Sequence, residues 1–166
     1  PPKNLRARPT TDFAKENLFY VITSHWEIEG VDVLDLFSGT RSISYEFASR
    51  GAGSIVSVEI NAIHSNYIRS TAKTFGFSEI YAVKANAFLY LKSCTKQFDI
   101  IFADPPYDIA GLDGIPDKIL TYQVLKHGGV LIFEHPAAFN FKSNPRFIKE
   151  KKYGNVHFSF FSNKMD

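Results

Sequence analysis

The chain has a single cysteine, Cys94, so no disulfide can close within it, and a disulfide-stapled secreted scaffold is excluded. That lone thiol reads as structural rather than nucleophilic. No apolar run approaches the ~20 residues that span a bilayer, and no signal-peptide pattern opens the sequence. A cytoplasmic location with no membrane partner is therefore expected. The five histidines are scattered without ligand spacing, so no metal site is expected. There is no nucleophile elbow, because Ser38 lacks the flanking glycines. There is also no internal repeat or low-complexity tract. Net charge is only +2, too little to demand a nucleic-acid partner by itself.

What remains is rich in rings: 16 Phe, and 15% aromatic residues overall, among 45% hydrophobic and 22% charged residues. A chain of 166 residues fits one domain that buries roughly 70% of its unfolded surface. Residues 1–166 are read as that single domain, with residues 1–11 as a basic arm. The charge is uneven. Lys3, Arg6 and Arg8 precede the first acid, Asp12; near the other end Lys142, Arg146, Lys149, Lys151 and Lys152 meet only Glu150. Two basic ends suit a phosphate-binding face if the fold unites them, and solvated surface if it does not. Lys3, Arg6, Arg8, Lys142 and Arg146 are the candidate nucleic-acid contacts.

The strongest local signal is Asp104-Pro105-Pro106-Tyr107 after the apolar run Phe98 to Ala103. Two prolines cannot continue a sheet ladder, since each lacks an N–H. A buried strand must stop there, presenting a carboxylate, backbone carbonyls and a ring together. Such a group suits a planar base with an exocyclic amine: the ring stacks, and the oxygens accept the two amine hydrogens. The competing reading is a strand end followed by an ordinary proline turn.

Elsewhere strands and helices alternate. Ala14, Leu18, Val21 and Ile22 share a helical face after the capping run Thr10-Thr11-Asp12. Strands are expected at 31–37, 54–58, 80–84, 98–103 and 130–133. Helices are expected at 42–50, after Asn61 with a stripe of Ile63, Tyr67, Thr71 and Phe75, from Asn86 to Leu91, and from Pro116 until Gly128 closes it. Residues 147–160, turning at Gly154-Asn155, alternate like a hairpin. The pattern predicts an α/β, Rossmann-like doubly wound, mostly parallel sheet with a C-terminal antiparallel hairpin. Ligands of such sheets bind outside the carboxyl ends of the strands. Asp35, Glu59, Asn86 and Asp104 all fall there and are expected to line one crevice.

Val33 to Thr40 runs from a strand into a tight turn, where Gly39 would let the backbone approach a ligand. Glu59 follows at the end of the next strand, where a carboxylate can accept both hydroxyl hydrogens of a ribose. The side-chain carbonyl of Asn86 would accept from an adenine amine. The dinucleotide fingerprint Gly-x-Gly-x-x-Gly is missing, with Arg41 and Ser44 in its second and third positions. An aspartate in the first strand would repel a pyrophosphate and attract an ammonium or sulfonium centre. S-adenosylmethionine has both and is preferred to NAD. The alternative for Asp35 and Glu59 is a pair of strand-end caps, which a buried unpaired charge disfavours at Asp35.

Arg8-Pro9-Thr10-Thr11-Asp12, Glu16-Asn17-Leu18-Phe19, Asp35 to Thr40, and Asp104-Pro105-Pro106-Tyr107 together resemble the RsmD-type 16S rRNA guanine-N2 methyltransferases, within the class I S-adenosylmethionine-dependent enzymes. The resemblance runs through essentially the whole chain. It implies a seven-stranded sheet and methyl transfer to the N2 amine of a guanine in 16S rRNA or the small ribosomal subunit, by a monomer. It places Thr10, Asp35, Phe37, Ser38, Gly39, Glu59, Ile60, Asn86, Ala87 and Asp104 around the cofactor. It gives Asp104, Pro105, Pro106 and Tyr107 to the reacting base. The family usually begins earlier, with a short basic β-hairpin, so a shortened form is expected. It commonly has Gly where this chain has Arg41, and an inward Arg41 would weaken cofactor binding. Two rival functions remain: amine methylation of DNA adenine or another nucleic acid, and non-catalytic RNA or ribosome binding with cofactor affinity lost through Arg41.

Overall fold

The computed structural model describes residues 12–163. Strands β1 (Asp32–Leu36), β2 (Ser54–Glu59), β3 (Ile80–Lys84), β4 (Phe98–Ala103) and β5 (Leu125–His135) are joined to β6 (Phe147–Tyr153) and β7 (Val156–Ser162) in one sheet. Its order is β3-β2-β1-β4-β5-β7-β6. The first five strands are parallel, and β7 inserts antiparallel between β5 and the edge strand β6. Helices α1 (Asp12–His25), α2 (Ser44–Ser49), α3 (Ala62–Thr74), α4 (Ala87–Ser93) and α5 (Ile115–Thr121) cover the faces. The expected doubly wound sheet and its terminal hairpin are what forms. Among the described residues no helix is long and apolar enough to cross a membrane.

Both faces are buried, so the strands read as continuous apolar runs rather than alternating ones. Val33, Ile100, Phe102, Phe158 and Phe160 pack with α1, α2 and α3. Leu34, Leu36, Ile101, Leu131 and Phe161 pack with α4 and α5. Period-two alternation thus sends Val33 and Asp35 toward α2, and Leu34 and Leu36 toward α4.

Three details differ from the sequence reading. The inward stripe of α3 is Ser65, Ile68 and Ala72, while Ile63 and Phe75 are exposed. Small side chains let this helix lie close to the sheet, which the larger apolar stripe would prevent. Helix α2 begins at Ser44; Ser42 lies in the turn before it, its hydroxyl donating to Asp35 while accepting from Ser44 N. Gly128 does not close α5, which ends at Thr121. It lies at φ +84° inside β5, where the register jumps from Phe98↔Leu125 to Ile100↔Val130. That bulge also needs Gly129, since a Cβ there would sit 2.7 Å from the Asp99 carbonyl oxygen.

The strand order reverses at β1, between β2 and β4. In open parallel sheets this switch point is where a crevice opens at the carboxyl ends.

Candidate active site

The first wall of the crevice is the turn after β1. Two residues within three adopt left-handed backbone, Phe37 at φ +59° and Gly39 at φ +65°. A phenylalanine in that region is strained, and such strain persists only where surroundings enforce it. The Phe37 ring packs edge-on against Phe88, centroids 5.9 Å apart, and Lys118 Nζ caps the Phe88 ring at 4.0 Å. Ser38 N donates to the Val58 carbonyl at 3.0 Å, and its hydroxyl donates back to the Asp35 carbonyl. A Cβ at Gly39 would meet no atom within 4 Å, so open space lies before the glycine.

Glu59 ties this turn to β2. Its Oε1 accepts from Gly39 N at 2.9 Å and its Oε2 from Asn61 N at 2.8 Å. Both oxygens are therefore fixed, with lone pairs still available to hydroxyl donors. Asn61 in turn caps α3 through His64 N, and Ile60 between them is 61% exposed at the rim. Ala85 N donates to the Glu59 carbonyl, which brings the end of β3 into the same rim.

Asn86 caps α4: its Oδ1 accepts from Phe88 N at 2.9 Å and Leu89 N at 3.1 Å. The atom expected to receive an adenine amine is thus committed to the helix, leaving Nδ2 as the side chain's donor toward a ring nitrogen. The Ala87 methyl is buried in the core cluster beneath α4.

Asp35 is buried at the end of β1 and faces α2. Its Oδ2 accepts from Ser42 Oγ and Ser44 Oγ, both at 2.7 Å, and Ser44 Oγ lies 2.5 Å from Ser57 Oγ on β2. Burial raises the carboxyl from 3.8 to about 6, against the opposing pull of the serine hydroxyls, which favour the ion. This three-serine cradle is the part of the site that sequence reading missed. Hydroxyls seven and nine residues downstream of an aspartate give no signal until the turn is folded. Arg41 is exposed and has no ion pair among the described residues.

The second wall is the Asp104 loop. Leu36 pairs with Ala103, and Asp104 N donates to the Leu36 carbonyl at 3.4 Å. The proline segment therefore leaves the sheet directly beside the Gly39 turn. Pro105 is buried, Pro106 exposed, and Asp104 and Tyr107 half-buried. Ile109 N closes the loop onto the Pro106 carbonyl at 3.1 Å.

One rim thus gathers Asp35, Phe37, Ser38, Gly39, Glu59, Ile60, Asn86, Ala87, Asp104, Pro105, Pro106 and Tyr107. Arg146 is not part of it. Its carbonyl accepts from Ser162 N, and Ser162 pairs with Val130 near the opposite ends of the parallel strands. Lys142 is exposed after Phe141, whose ring packs on His135 across the α5-side face. Lys3, Arg6, Arg8 and Thr10 lie outside the described residues. His135 bonds through Nδ1 to the Pro136 carbonyl and through Nε2 to Ser159 Oγ, and burial pushes its pKa down. It is a satisfied structural imidazole.

A family model described as Conserved hypothetical protein 95 matches residues 1–162. A Buchnera aphidicola (subsp. Baizongia pistaciae) protein called Ribosomal RNA small subunit methyltransferase D is 30% identical over 165 residues, 97% of this chain and 83% of its own length. The Haemophilus influenzae protein of the same name is 26% identical over 162 residues, 94% of this chain and 83% of its own. Among solved structures, a Thermus thermophilus 16S rRNA N2 methyltransferase in complex with AdoMet and guanosine superposes with a TM-score of 0.75 at 18% identity. The match covers 96% of this chain and 45% of that one, and at such identity it is a likeness of fold. A family match over residues 1–162, with a curated relative 30% identical over 97% of this chain, leaves one conclusion: the chain belongs to the family described as Conserved hypothetical protein 95, the RsmD-type methyltransferases whose motifs it carries.

Proposed function

We propose that this protein transfers the methyl group of S-adenosylmethionine to the exocyclic N2 amine of a guanine in 16S rRNA, acting as a monomer in the cytoplasm on that RNA or the small ribosomal subunit. The observation that carries this reading is the Asp104 N to Leu36 carbonyl bond. It sets an amine-accepting loop against a turn with open space before its glycine. The Buchnera and Haemophilus relatives are named for small-subunit rRNA methylation, and the Thermus fold relative holds AdoMet and guanosine.

The residues present fit that cofactor. Glu59, fixed at both oxygens by backbone N–H groups, is oriented to accept ribose hydroxyls. The Gly39 turn gives the close approach that a Cβ would fill. Ile60 and Asn86 border the adenine side, and buried Asp35 lends negative potential toward a cationic centre. The bound cofactor would supply an electrophilic methyl on a sulfonium.

A guanine amine is a weak nucleophile because its lone pair is delocalised into the ring. The Asp104 carboxylate and the Pro105 carbonyl accept its two hydrogens and localise that pair on nitrogen. Tyr107 packs against the base. As the nitrogen gains its methyl it loses one proton, which passes to an Asp104 oxygen. Holding the amine in line accounts for roughly 7–11 kcal/mol of the barrier reduction, so no metal is needed for activation.

Asp104→Ala is expected to abolish transfer of tritiated methyl to deproteinised 16S rRNA while cofactor affinity by calorimetry stays within about threefold, under 1 kcal/mol. Native-rate methylation by that variant overturns the assignment. Native label appearing on DNA adenine, with none on rRNA, would favour the rival amine methyltransferase reading.

A further inference from the structure

Beyond the crevice, the outer edge of the sheet carries a second constellation. Strand β6 is an edge strand, and strict alternation from Lys149 to Tyr153 puts Lys149, Lys151 and Tyr153 on the α1 side. The contacts agree. Lys149 Nζ lies 5.5 Å from both the Trp26 and Phe160 rings, and Tyr153 meets Phe13 edge-on at 6.2 Å.

On the neighbouring helix, Phe13 and Tyr20 stand seven residues apart on one face, 63% and 75% exposed. Phe13 touches Tyr153 of the hairpin that turns at the crevice rim, and α1 then runs down beside β6 toward Trp26. Burial, and after it the neighbouring charge of Lys151, pushes the Lys149 ammonium down, and a bound anion would offset the repulsion between the two lysines. Glu150 points to the opposite side of β6, where it meets His157. On α1, Glu16 shares the face of Phe13 and Tyr20 and Asp12 opens the helix beside Phe13, so phosphates would be met by the lysines of β6 and the rings of α1 would meet bases.

Lysines on an edge strand commonly guard against sheet-to-sheet pairing. That role does not explain two exposed rings on the neighbouring helix, which would promote association rather than prevent it. Cations interleaved with exposed aromatics are the signature of a surface for unpaired nucleic acid, in which phosphates meet cations and bases stack on rings.

We propose that the α1 side of β6 and the outer face of α1 form a second RNA-contact surface, in which Lys149 and Lys151 hold consecutive phosphates and Phe13 and Tyr20 stack unpaired bases. The surface begins at the rim, so a strand whose guanine enters the crevice leaves it past Phe13 and Tyr153. The inference rests on the rRNA reading given above and adds the path of the flanking strand.

The test is fluorescence polarisation with short labelled oligouridylate over a salt series, alongside methyl transfer to naked 16S rRNA and to assembled small subunits. Lys149→Gln/Lys151→Gln is expected to raise Kd about tenfold and to reduce the slope of log Kd against log salt by about 1.4, the loss of two phosphate contacts. Tyr20→Ala is expected to raise Kd at least fivefold, with a weaker salt effect. Lys149→Arg/Lys151→Arg retains native binding, and cofactor affinity is unchanged throughout. Native Kd and slope in the glutamine variant overturn the surface. Loss confined to assembled subunits, with oligouridylate and naked RNA unaffected, points to a ribosomal protein and also overturns it. Weakened RNA binding in the variants, with no rRNA methylation by the native chain, supports the surface and defeats the proposed reaction.

Discussion

Glu59 at the end of β2 accepts a hydrogen bond from Gly39 N across the crevice at 2.9 Å, so the acid assigned to the ribose also holds the turn that the cofactor must approach. On the proposed reading, binding and local architecture are coupled through one side chain. Its second oxygen serves Asn61 N, the residue that caps α3.

Glu59→Gln tests that coupling. One amide oxygen can satisfy Gly39 N or Asn61 N, but the Nε2 group then faces the other N–H, donor against donor. The variant should lose about 1–3 kcal/mol of stability, the cost of a buried unpaired polar group, together with its ribose contact. Calorimetry should show cofactor affinity at least tenfold weaker, and urea unfolding a lower midpoint at unchanged slope. An affinity loss with native stability would mean that the Gly39 bond contributes little to folding.

The architecture was legible because a parallel sheet places strand ends on one side. Once Asp35, Glu59, Asn86 and Asp104 were read as strand ends, a common rim followed, and the pairing of Leu36 with Ala103 realises it. What lay hidden depends on groups whose partners are set by folding. Asn86 offers an acceptor either to a ligand or to its own helix, and the helix takes it. In α3 the large apolar residues suggest one inward stripe, yet close approach to the sheet selects Ser65 and Ala72 and turns Ile63 and Phe75 outward. Arg146 belongs to a basic run in sequence, but the hairpin carries it to the far end of the sheet.

Asp35 predicts a pH dependence. Its folded carboxyl binds a proton more tightly than the unfolded chain does, titrating near 6 rather than 3.8. Between those values the folded state holds more protons, so this group's contribution to stability falls as pH rises, and the cost of about 3 kcal/mol is complete above pH 6. Asp35→Asn keeps an oxygen that can accept from both serines and removes that cost. It should be at least as stable as the native chain at pH 7.5, and its advantage should shrink toward pH 4. Cofactor affinity runs oppositely: the native chain should bind more weakly as pH drops through about 6, whereas Asp35→Asn should be weak at every pH. Ser44→Ala removes a hydroxyl that favours the ion, so its loss of affinity should begin at a higher pH. Calorimetric titrations from pH 5 to 8 check all three.

Arg41 gives the last expectation. Where the family commonly has glycine, this chain presents a long cation on the turn between Gly39 and α2, and an inward side chain would occupy cofactor space. Arg41 is exposed, and the turn keeps its left-handed glycine at Gly39 with open space before it. On the proposed reading the close approach falls two residues earlier, at Gly39, so the backbone freedom that a glycine in place of Arg41 would offer is not needed for it. Arg41→Gly should therefore leave S-adenosylmethionine affinity within about twofold, less than 0.5 kcal/mol. A tenfold gain on removing the arginine would mean that the side chain folds into the crevice in solution, and would favour the reading of a binding protein with impaired cofactor uptake.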